Sequence, residues 1–268
     1  MADQPIRVLD LTGSATEVGR AHGTAYAAEI REYTDERVHL SSDGVWAGHA
    51  VTHDAVIALA EACLPAHEAY APELYAEMLA MGDGAGLSPA EAVIVGGFTD
   101  FIDTVRAAGG DPVPEDSCTA ALVPPDAGGG EPWFAQTWDM HDTATPYIVM
   151  LHTRVAGRPE ALVFTTVGCL GQIGMNEHGL CVGLHMVNQK TWQPGLVCIL
   201  IVRIVLDQCA TTREAIKLLR RLPHGLGFNY SLIDAGGAAA VVEASPAALA
   251  VREGAQLACT NHFQAKEL

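Results

Sequence analysis

The residue pattern changes abruptly at Cys118, and this change limits the fold more than any other feature of the sequence. Upstream, apolar residues recur at helical spacing in four segments, which we predict to be helices. Downstream, short runs rich in Val, Thr, Phe and Leu are separated by Gly and Pro, as in strands joined by hairpins. The predicted helices are residues 16–40, 54–63, 67–81 and 88–105, and the predicted strands lie in CTAALV, WFAQTWDM, YIVMLHTRV, ALVFTTV, GQIGMN, LCVGLHMV, FNYSLID, AAAVVEAS, ALAVRE and QLACTNH.

Two further segments interrupt the predicted strands. Residues 196–209 are too long and too apolar for an ordinary strand, and residues 211–222 begin with a capping box, as does the predicted helix at 88–105. The order of helices, strands, helices and strands predicts an α+β fold with antiparallel sheets covered by helices. We expect a mostly helical segment at 1–117 and a sheet-forming segment at 118–268.

The acidic charge is concentrated upstream of Cys118. The chain has a net charge of −17, and residues 1–117 hold 20 acidic and 5 basic residues, against 12 and 10 in residues 118–268. Because a strongly acidic chain repels phosphate groups, we do not expect nucleic acids or anionic membrane surfaces as partners. No apolar stretch approaches the roughly 20 residues that span a bilayer, so we expect a soluble protein.

The seven cysteines are spread through the chain without a C-x-x-C pair or a regular spacing. This usage fits reduced thiols, and the N-terminus has no basic patch followed by an apolar run, so we expect a cytoplasmic protein. The histidines form no metal-binding pattern, since pairs such as His178 and His185 are accompanied by no cysteine cluster. We therefore expect neither a metal site nor a cofactor.

Cys118 differs from the other six cysteines in its position. It follows a loop rich in Gly, Pro and acidic residues, AAGGDPVPEDS, and it opens the first predicted strand of its segment. A thiol at a loop-to-strand junction can be reached by solvent, whereas a thiol in the middle of a strand is usually buried. On position alone, Cys118 is a candidate nucleophile, and a small buried hydrophobic residue is the alternative.

Four motifs occur in this chain in the same order as in one enzyme family. They are GRAHG at 19–23, EDSCTAALVPPDAGGGEPWFAQTWDMH at 115–141, GCLGQIGMNEHGLCVGLHMV at 168–187 and TNHF at 260–263. In these motifs the chain resembles the acyl-coenzyme A:isopenicillin N acyltransferase-like family of cysteine N-terminal-nucleophile hydrolases. The resemblance implies a four-layer αββα fold with two stacked antiparallel sheets, and self-cleavage between Ser117 and Cys118. It also implies a small-molecule substrate, an acyl amide or an acyl thioester, whose acyl group passes through Cys118 to water or an amine.

The resemblance further implies roles for individual residues. The α-amine that cleavage creates on Cys118 serves as the base, because a free amino terminus has a pKa of about 7.7–8.0. Asp139, in the Trp-Asp pair, holds the α-amine or the thiol of Cys118 through a charge-assisted hydrogen bond. Asn261, in the TNHF motif, donates to the oxyanion of the tetrahedral intermediate. The acyl pocket is lined by Trp138, Met140 and His141.

The chain departs from the family pattern at two positions, and two histidines are alternatives to the α-amine as base. Ser117 stands where a glycine is more usual, and Thr137 stands where an asparagine often precedes the Trp-Asp pair. Neither departure removes a catalytic atom. His141 and His262 are the alternative bases in a Cys-His arrangement, although neighbouring Asp and Asn residues already fill the needed roles.

A function of a different class also stays open. Family members carry several strands beyond the TNHF motif, whereas this sequence ends soon after it. The alternative to an enzyme is a non-catalytic binding or assembly subunit whose sheet is completed by a partner polypeptide, and a homo-oligomer is open as well. The presence of Cys118, Asp139 and Asn261 favours the enzyme.

Overall fold

Two β-sheets and two groups of helices make up the fold, as an α+β class requires. The computed structural model describes residues 6–45, 48–97, 102, 105–106, 118–187, 192–254 and 256–268. The strands are β1 (Arg7–Gly13), β2 (Ala120–Val123), β3 (Trp133–Gln136), β4 (Ile148–Val155), β5 (Ala161–Thr166), β6 (Ile173–Asn176), β7 (Cys181–Met186), β8 (Phe228–Ile233), β9 (Ala239–Ala244), β10 (Leu249–Glu253) and β11 (Leu257–Cys259). The helices are α1 (Ala15–Ala25), α2 (Ala27–Ser42), α3 (His53–Tyr70), α4 (Pro72–Ala85), α5 (Pro89–Gly96), α6 (Pro125–Gly128), α7 (Cys198–Gln208) and α8 (Thr212–Leu219), with a 3₁₀ helix at Asp142–Tyr147.

The larger sheet has the strand order β1-β4-β5-β6-β7-β8-β9-β10. Its neighbouring strands are antiparallel except for β1 and β4, which run parallel from the Arg7–Val149 pair to the Gly13–Val155 pair. A parallel pair needs a long connection, and here that connection contains α1 to α5. The upstream segment, predicted to be mostly helical, therefore also supplies an edge strand to the sheet of the downstream segment.

The smaller sheet, with the order β11-β2-β3, is antiparallel and stacks on the larger one. Gly183 on β7 allows this close approach, because a Cβ at that position would collide with side-chain atoms of Phe134 and Gln136 on β3. The α+β class with two stacked sheets is therefore confirmed, with β1 as the parallel exception. The apolar cluster between the sheets consists of Ala120, Leu122, Ile233, Ala239, Val241 and Cys259.

Helices cover the other face of the larger sheet. In α7 every residue from Cys198 to Leu206 is buried, which explains why residues 196–209 are nearly all apolar. Helix α1 crosses α4 so closely that a Cβ at Gly19 or Gly23 would collide with a backbone carbonyl of α4. The GRAHG motif thus has a packing role in the upstream segment.

The predicted helices are present, but several of their boundaries differ. The helix predicted at 16–40 is two helices, α1 and α2, which meet at Tyr26. The helix predicted at 54–63 lies within the longer α3, whereas the one predicted at 67–81 was placed too early, since its first four residues belong to α3 and only residues 72–81 belong to α4. Helix α5 accounts for only the first part of the prediction at 88–105. The predicted boundary between the two segments, after Ser117, stays a prediction, because residues 107–117 lie outside the described residues.

One predicted capping box is complete and the other is half formed. The Ser88 N–H donates to Glu91 Oε2 at 2.7 Å, and the Glu91 N–H donates to Ser88 Oγ at 3.3 Å. At α8 the Glu214 N–H donates to Thr211 Oγ1 at 3.3 Å, but the Glu214 carboxylate accepts from the Ala210 N–H at 2.8 Å. Each arrangement satisfies two backbone N–H groups at the start of a helix.

A buried cluster of charged side chains joins the upstream helices to the downstream ones. Arg203 on α7 is fully buried and donates to both carboxylate oxygens of Glu77 on α4, at 3.0 and 3.3 Å. Its Nε donates to Asp207 at 2.8 Å, and Arg158 donates to the second oxygen of Asp207 at 2.6 Å. Burial raises the pKa of Glu77, and the positive charge of Arg203 opposes that rise. Because an unpaired buried charge costs several kcal/mol, these contacts hold α4 against α7.

Replacing Glu77 with Gln should lower the free energy of unfolding by about 3 kcal/mol, since Arg203 would lose its charged partner inside the protein. Glu73→Gln is the matched control, because Glu73 also bonds to Arg158 but is largely exposed, and it should cost less than about 1 kcal/mol. Urea unfolding of the two variants measures the difference. Equal stabilities of both variants would contradict a structural role for the buried cluster.

His22 of the GRAHG motif is buried in its neutral form. Its Nε2 accepts a hydrogen bond from the Gly168 N–H at 3.1 Å, which requires an unprotonated nitrogen. Burial, with a smaller contribution from the positive charge of Arg203, lowers the pKa of His22 to about 4. The folded state therefore binds a proton at His22 less readily than the unfolded state does.

The stability of the protein should fall as the pH falls from about 6.5 towards 4. In the unfolded chain His22 has a pKa of about 6.5, so in this window the unfolded state binds more protons and gains free energy. His22→Gln, which keeps an acceptor but cannot titrate, should reduce the pH slope of the unfolding free energy by about 1.4 kcal/mol per pH unit. Urea titrations at pH 7.5, 6 and 5 measure the slope. The control is the same substitution at the exposed His39 of α2, measured in the same titrations. An undiminished slope in His22→Gln would rule out this origin.

Candidate active site

Cys118 lies two residues before β2, and its side chain is buried, whereas its position after a loop predicted a thiol that solvent can reach. The ladder between β2 and β3 continues past the strand ends, because the Thr119 N–H donates to Thr137 Oγ1 at 2.9 Å and the Thr137 N–H donates to the Thr119 carbonyl at 2.8 Å. Side chains alternate along this extended backbone, so Cys118 lies on the side of Ala120 and Leu122, facing the larger sheet. Thr137, a departure from the family pattern, thus fixes the residue next to Cys118.

Asn261 connects Cys118 to the larger sheet. Its Oδ1 accepts a hydrogen bond from the Cys118 N–H at 2.7 Å, and its Nδ2 donates to the Met186 carbonyl at 2.9 Å. Both partners are backbone groups of fixed polarity, so the orientation of the amide is determined. The structure therefore brings Cys118 and Asn261 together, with the amide oxygen on the Cys118 nitrogen and, among the described residues, only one Nδ2 hydrogen used, on the Met186 carbonyl.

Asn229 on β8 holds the backbone on either side of Asn261. It is fully buried, and its Nδ2 donates at 3.0 Å to the carbonyls of Thr260 and His262. Sequence reasoning did not select this residue, although a signal was available, since an asparagine is unusual in a strand as buried as FNYSLI. The turn that carries Asn261 is thus fixed from the larger sheet.

His185 on β7 is paired with Asn229 in the ladder, so the two side chains share the face between the sheets. It is fully buried, and neither ring nitrogen has a hydrogen bond of good geometry to another described residue. Burial lowers the pKa of His185 to about 4, against a smaller opposing effect of the Asn229 backbone. A neutral imidazole therefore lies beside the turn of Asn261, in a position that the sequence analysis had weighed only for metal binding.

Three other cysteines have the properties of inert buried thiols. Burial raises the pKa of Cys181, Cys209 and Cys259 to about 11. A thiol with so high a pKa is almost entirely protonated at neutral pH and is a poor nucleophile. Cys259 pairs with Ala120 on the neighbouring strand, and Ala120 is two residues from Cys118. The side chain of Cys259 belongs to the apolar cluster between the sheets.

Asp139 is not joined to Cys118 in the structure. It is exposed, and no hydrogen bond links its carboxylate to Cys118 or Asn261 among the residues that the structure describes. Ser117, the other half of the predicted cleavage site, lies outside the described residues. The geometry thus assembles two of the predicted catalytic residues and leaves the third at the surface.

The predicted acyl-pocket residues follow β3 as an extended segment. Trp138 packs edge to face on Phe164 of β5, with ring centroids 5.6 Å apart, and Met140 packs against the main apolar core. His141 is half-buried, and its pKa is lowered by burial and then by the positive charge of Arg37. Of the three side chains, Trp138 packs on the larger sheet and His141 lies near Arg37 of α2, and the pocket itself stays a prediction.

The described residues contain no group of three His, Cys, Asp or Glu side chains arranged to hold a metal ion. The two histidines considered in the sequence have different surroundings, since the His178 N–H donates to Asn176 Oδ1 in a turn while His185 lies between the sheets. Among the helices of the described residues, none combines the length and the apolar character that crossing a bilayer demands.

Comparison with known proteins gives one family. Residues 127–268, more than half of the chain, match the model of a family described as "Acyl-coenzyme A:6-aminopenicillanic acid acyl-transferase". The matched span contains Asp139 and Asn261 and begins after Cys118. The acyl-coenzyme A:6-aminopenicillanic-acid-acyltransferase 40 kDa form of Emericella nidulans is 22% identical over 211 residues, which are 77% of this chain and 55% of that protein. The chain thus spans about half the length of this curated relative.

Similarity to solved structures is partial. A Caenorhabditis elegans N-acylethanolamine-hydrolyzing acid amidase ortholog aligns at 14% identity and a TM-score of 0.46, over 55% of this chain and 71% of that one. Penicillin V acylase from Agrobacterium tumefaciens aligns at 21% identity and a TM-score of 0.33, over 57% of this chain and 47% of that one. Likenesses of this size support no inference about activity. The match over residues 127–268, together with the motifs that carry Asp139 and Asn261, shows that the chain belongs to the acyl-coenzyme A:6-aminopenicillanic acid acyl-transferase family.

Proposed function

We propose that this chain is a self-processing cysteine amidohydrolase or acyltransferase in which Cys118 carries the acyl group. The substrate is a small-molecule acyl amide or acyl thioester, and the acceptor is water or an amine. The observation that supports this best is the 2.7 Å hydrogen bond from the Cys118 N–H to Asn261 Oδ1. This bond joins the backbone nitrogen of Cys118, not its side chain, to the TNHF motif.

The backbone nitrogen matters because it can become the base. In an intact peptide bond this nitrogen is an amide and does not accept protons. After cleavage before Cys118 it is an amine, which can keep one N–H on Asn261 Oδ1 and use its lone pair to take the thiol proton. No side-chain base is then needed, which leaves His262 and His141 as alternatives.

The acyl transfer follows in two steps. The Cys118 sulfur forms a bond to the substrate carbonyl carbon, the thiol proton moves to the α-amine, and the carbon–nitrogen bond breaks as that proton passes to the leaving amine. Water or an acceptor amine then attacks the thioester, and the thiol is restored. The second Nδ2 hydrogen of Asn261, not used on Met186, is the proposed donor to the oxyanion.

Self-processing uses the same sulfur. Cys118 attacks the carbonyl of Ser117, so the acyl bond moves from nitrogen to sulfur, and water hydrolyses the thioester to give a free α-amine. Asp139 is proposed to hold this α-amine or the thiol. Its present exposed position means that such a contact forms only with the cleaved chain or with substrate.

The seven cysteines all lie among the described residues, and the structure pairs none of them in a disulfide bond. Free thiols persist in a reducing compartment, whereas secreted proteins usually pair them. We therefore propose a cytoplasmic location.

Intact-mass spectrometry of the purified chain should show two pieces. The smaller holds 117 of the 268 residues of a 28.2 kDa chain, about 12 kDa, and Cys118→Ala should give a single species. Cys259→Ala is the matched control and should cleave normally, because Cys259 is buried in the apolar cluster. A wild-type chain that stays whole while it still turns over an acyl amide would exclude the α-amine as base. A different result, in which Cys118 resists alkylation and a second polypeptide co-purifies, would support the alternative of a binding subunit.

Asn261→Ala should fold and lower the rate of p-nitrophenyl hexanoate cleavage by about 10²–10³, because it removes an oxyanion donor and the hydrogen bond to the Cys118 nitrogen.

Asp139→Asn should lower turnover and also slow the appearance of the two pieces. Steady-state kinetics and time-resolved mass spectrometry measure the two effects. Wild-type rates in either variant would remove that residue from the site.

A further inference from the structure

Two buried polar side chains on neighbouring strands of the larger sheet face the turn that carries Asn261. Asn229 on β8 and Glu243 on β9 are direct partners in the ladder, so their side chains point to the same side, towards the smaller sheet. Both are fully buried. A carboxylate in such a place is costly unless its oxygens are fully used.

The Glu243 oxygens are fully used, and most of their bonds go to the chain that follows TNHF. Oε2 accepts from the backbone N–H groups of Gln264 and Ala265, at 2.9 and 2.8 Å. Oε1 accepts from Arg252 Nε on β10 at 2.9 Å. Bonds from N–H groups to an ionised carboxylate are roughly twice as strong as neutral ones, so this contact is well suited to fix a backbone segment.

The two side chains hold the turn in complementary ways. Asn229 donates to two carbonyls, those of Thr260 and His262, whereas Glu243 accepts from two N–H groups just beyond them. Asn261 itself donates to Met186 on β7. Three neighbouring strands, β7, β8 and β9, therefore each fix one part of residues 260–265.

We infer that Glu243 is a positioning residue of the active site, acting through residues 260–265 on Asn261 and through Asn261 on the Cys118 nitrogen. This inference rests on the proposed role of Cys118. The bond between Asn261 and Cys118 is 2.7 Å long, so a shift of about 1 Å in the turn removes it, and a misplacement of that size can cost about 10²-fold in rate. Glu243 itself touches neither Cys118 nor Asn261 through a hydrogen bond among the described residues.

The test is Glu243→Gln, which keeps the size of the side chain but turns one acceptor oxygen into a donor. Its kcat with p-nitrophenyl hexanoate should fall about 10- to 100-fold with KM nearly unchanged, because the pocket is intact and the reacting groups are misplaced. The rate of Cys118 alkylation by iodoacetamide should change as well. Hydrogen exchange at the Gln264 and Ala265 amides should become faster than in the wild type.

Glu77→Gln is the matched control for loss of stability. It removes the same charge from another fully buried glutamate, far from the turn in sequence and bonded to Arg203 instead. Per folded molecule it should keep the wild-type kcat. The double variant Glu243→Gln with Arg252→Gln should recover part of the lost kcat. The side-chain amide at position 243 can then accept from the Gln264 and Ala265 N–H groups through its oxygen and donate its own N–H groups to the side-chain oxygen at position 252.

A wild-type kcat in Glu243→Gln would overturn the inference. If that variant does not fold, exchange in the wild type decides, since Gln264 and Ala265 amides that exchange as fast as an open loop would overturn it too. Cys118→Ala, assayed in parallel, separates the two hypotheses. Turnover that survives Cys118→Ala refutes the proposed function, whereas loss of turnover there with full kcat in Glu243→Gln refutes the positioning role alone.

Discussion

The packing of the upstream helices on the rest of the fold depends on the hydrogen bonds of one buried guanidinium, that of Arg203. It lies in the middle of the most apolar helix of the chain, and its donors go to Glu77, to Asp207 and to the Leu170 carbonyl. A charge in this place can be tolerated only in an arrangement that supplies all these partners at once. Glu77 comes from the upstream helices and Leu170 from the loop after β5, so one side chain fixes three parts of the fold. A cut before Cys118 would leave these contacts intact, since none of them depends on the peptide bond.

The candidate site lies between two sheets of unequal size. The smaller sheet brings Cys118, and the larger sheet brings Met186, Asn229 and Glu243 from three adjacent strands. Gly183 makes the approach close enough for side chains of one sheet to reach backbone groups of the other, as Gln136 does when it donates to the Leu184 carbonyl at 2.7 Å. Rigid strands thus position groups that would be imprecise on free loops.

Local patterns in the sequence were enough for most of the secondary structure, since alternation, helical spacing and the Ser88 capping signal are properties of neighbouring residues. They were not enough for β1, whose partner is far away along the chain, or for the break between α1 and α2 at Tyr26. The candidate site shows the same limit. Cys118 and Asn261 were selected through motifs, whereas Asn229, Glu243 and His185 come together only because the sheet places them in one row. Asp139 was chosen by a motif, and its exposed position was not visible in the sequence.

The parallel pairing of β1 with β4 sets the order in which the protein can be completed during synthesis. Arg7 must wait for Val149, which is made 142 residues later, on the order of ten seconds at the usual 5–20 residues per second. Helices α1 to α5 can form within that interval because their contacts are local. The edge of the larger sheet is therefore closed only after Cys118 has already been made, so β2 and β3 are synthesised before the first strand has anything to pair with.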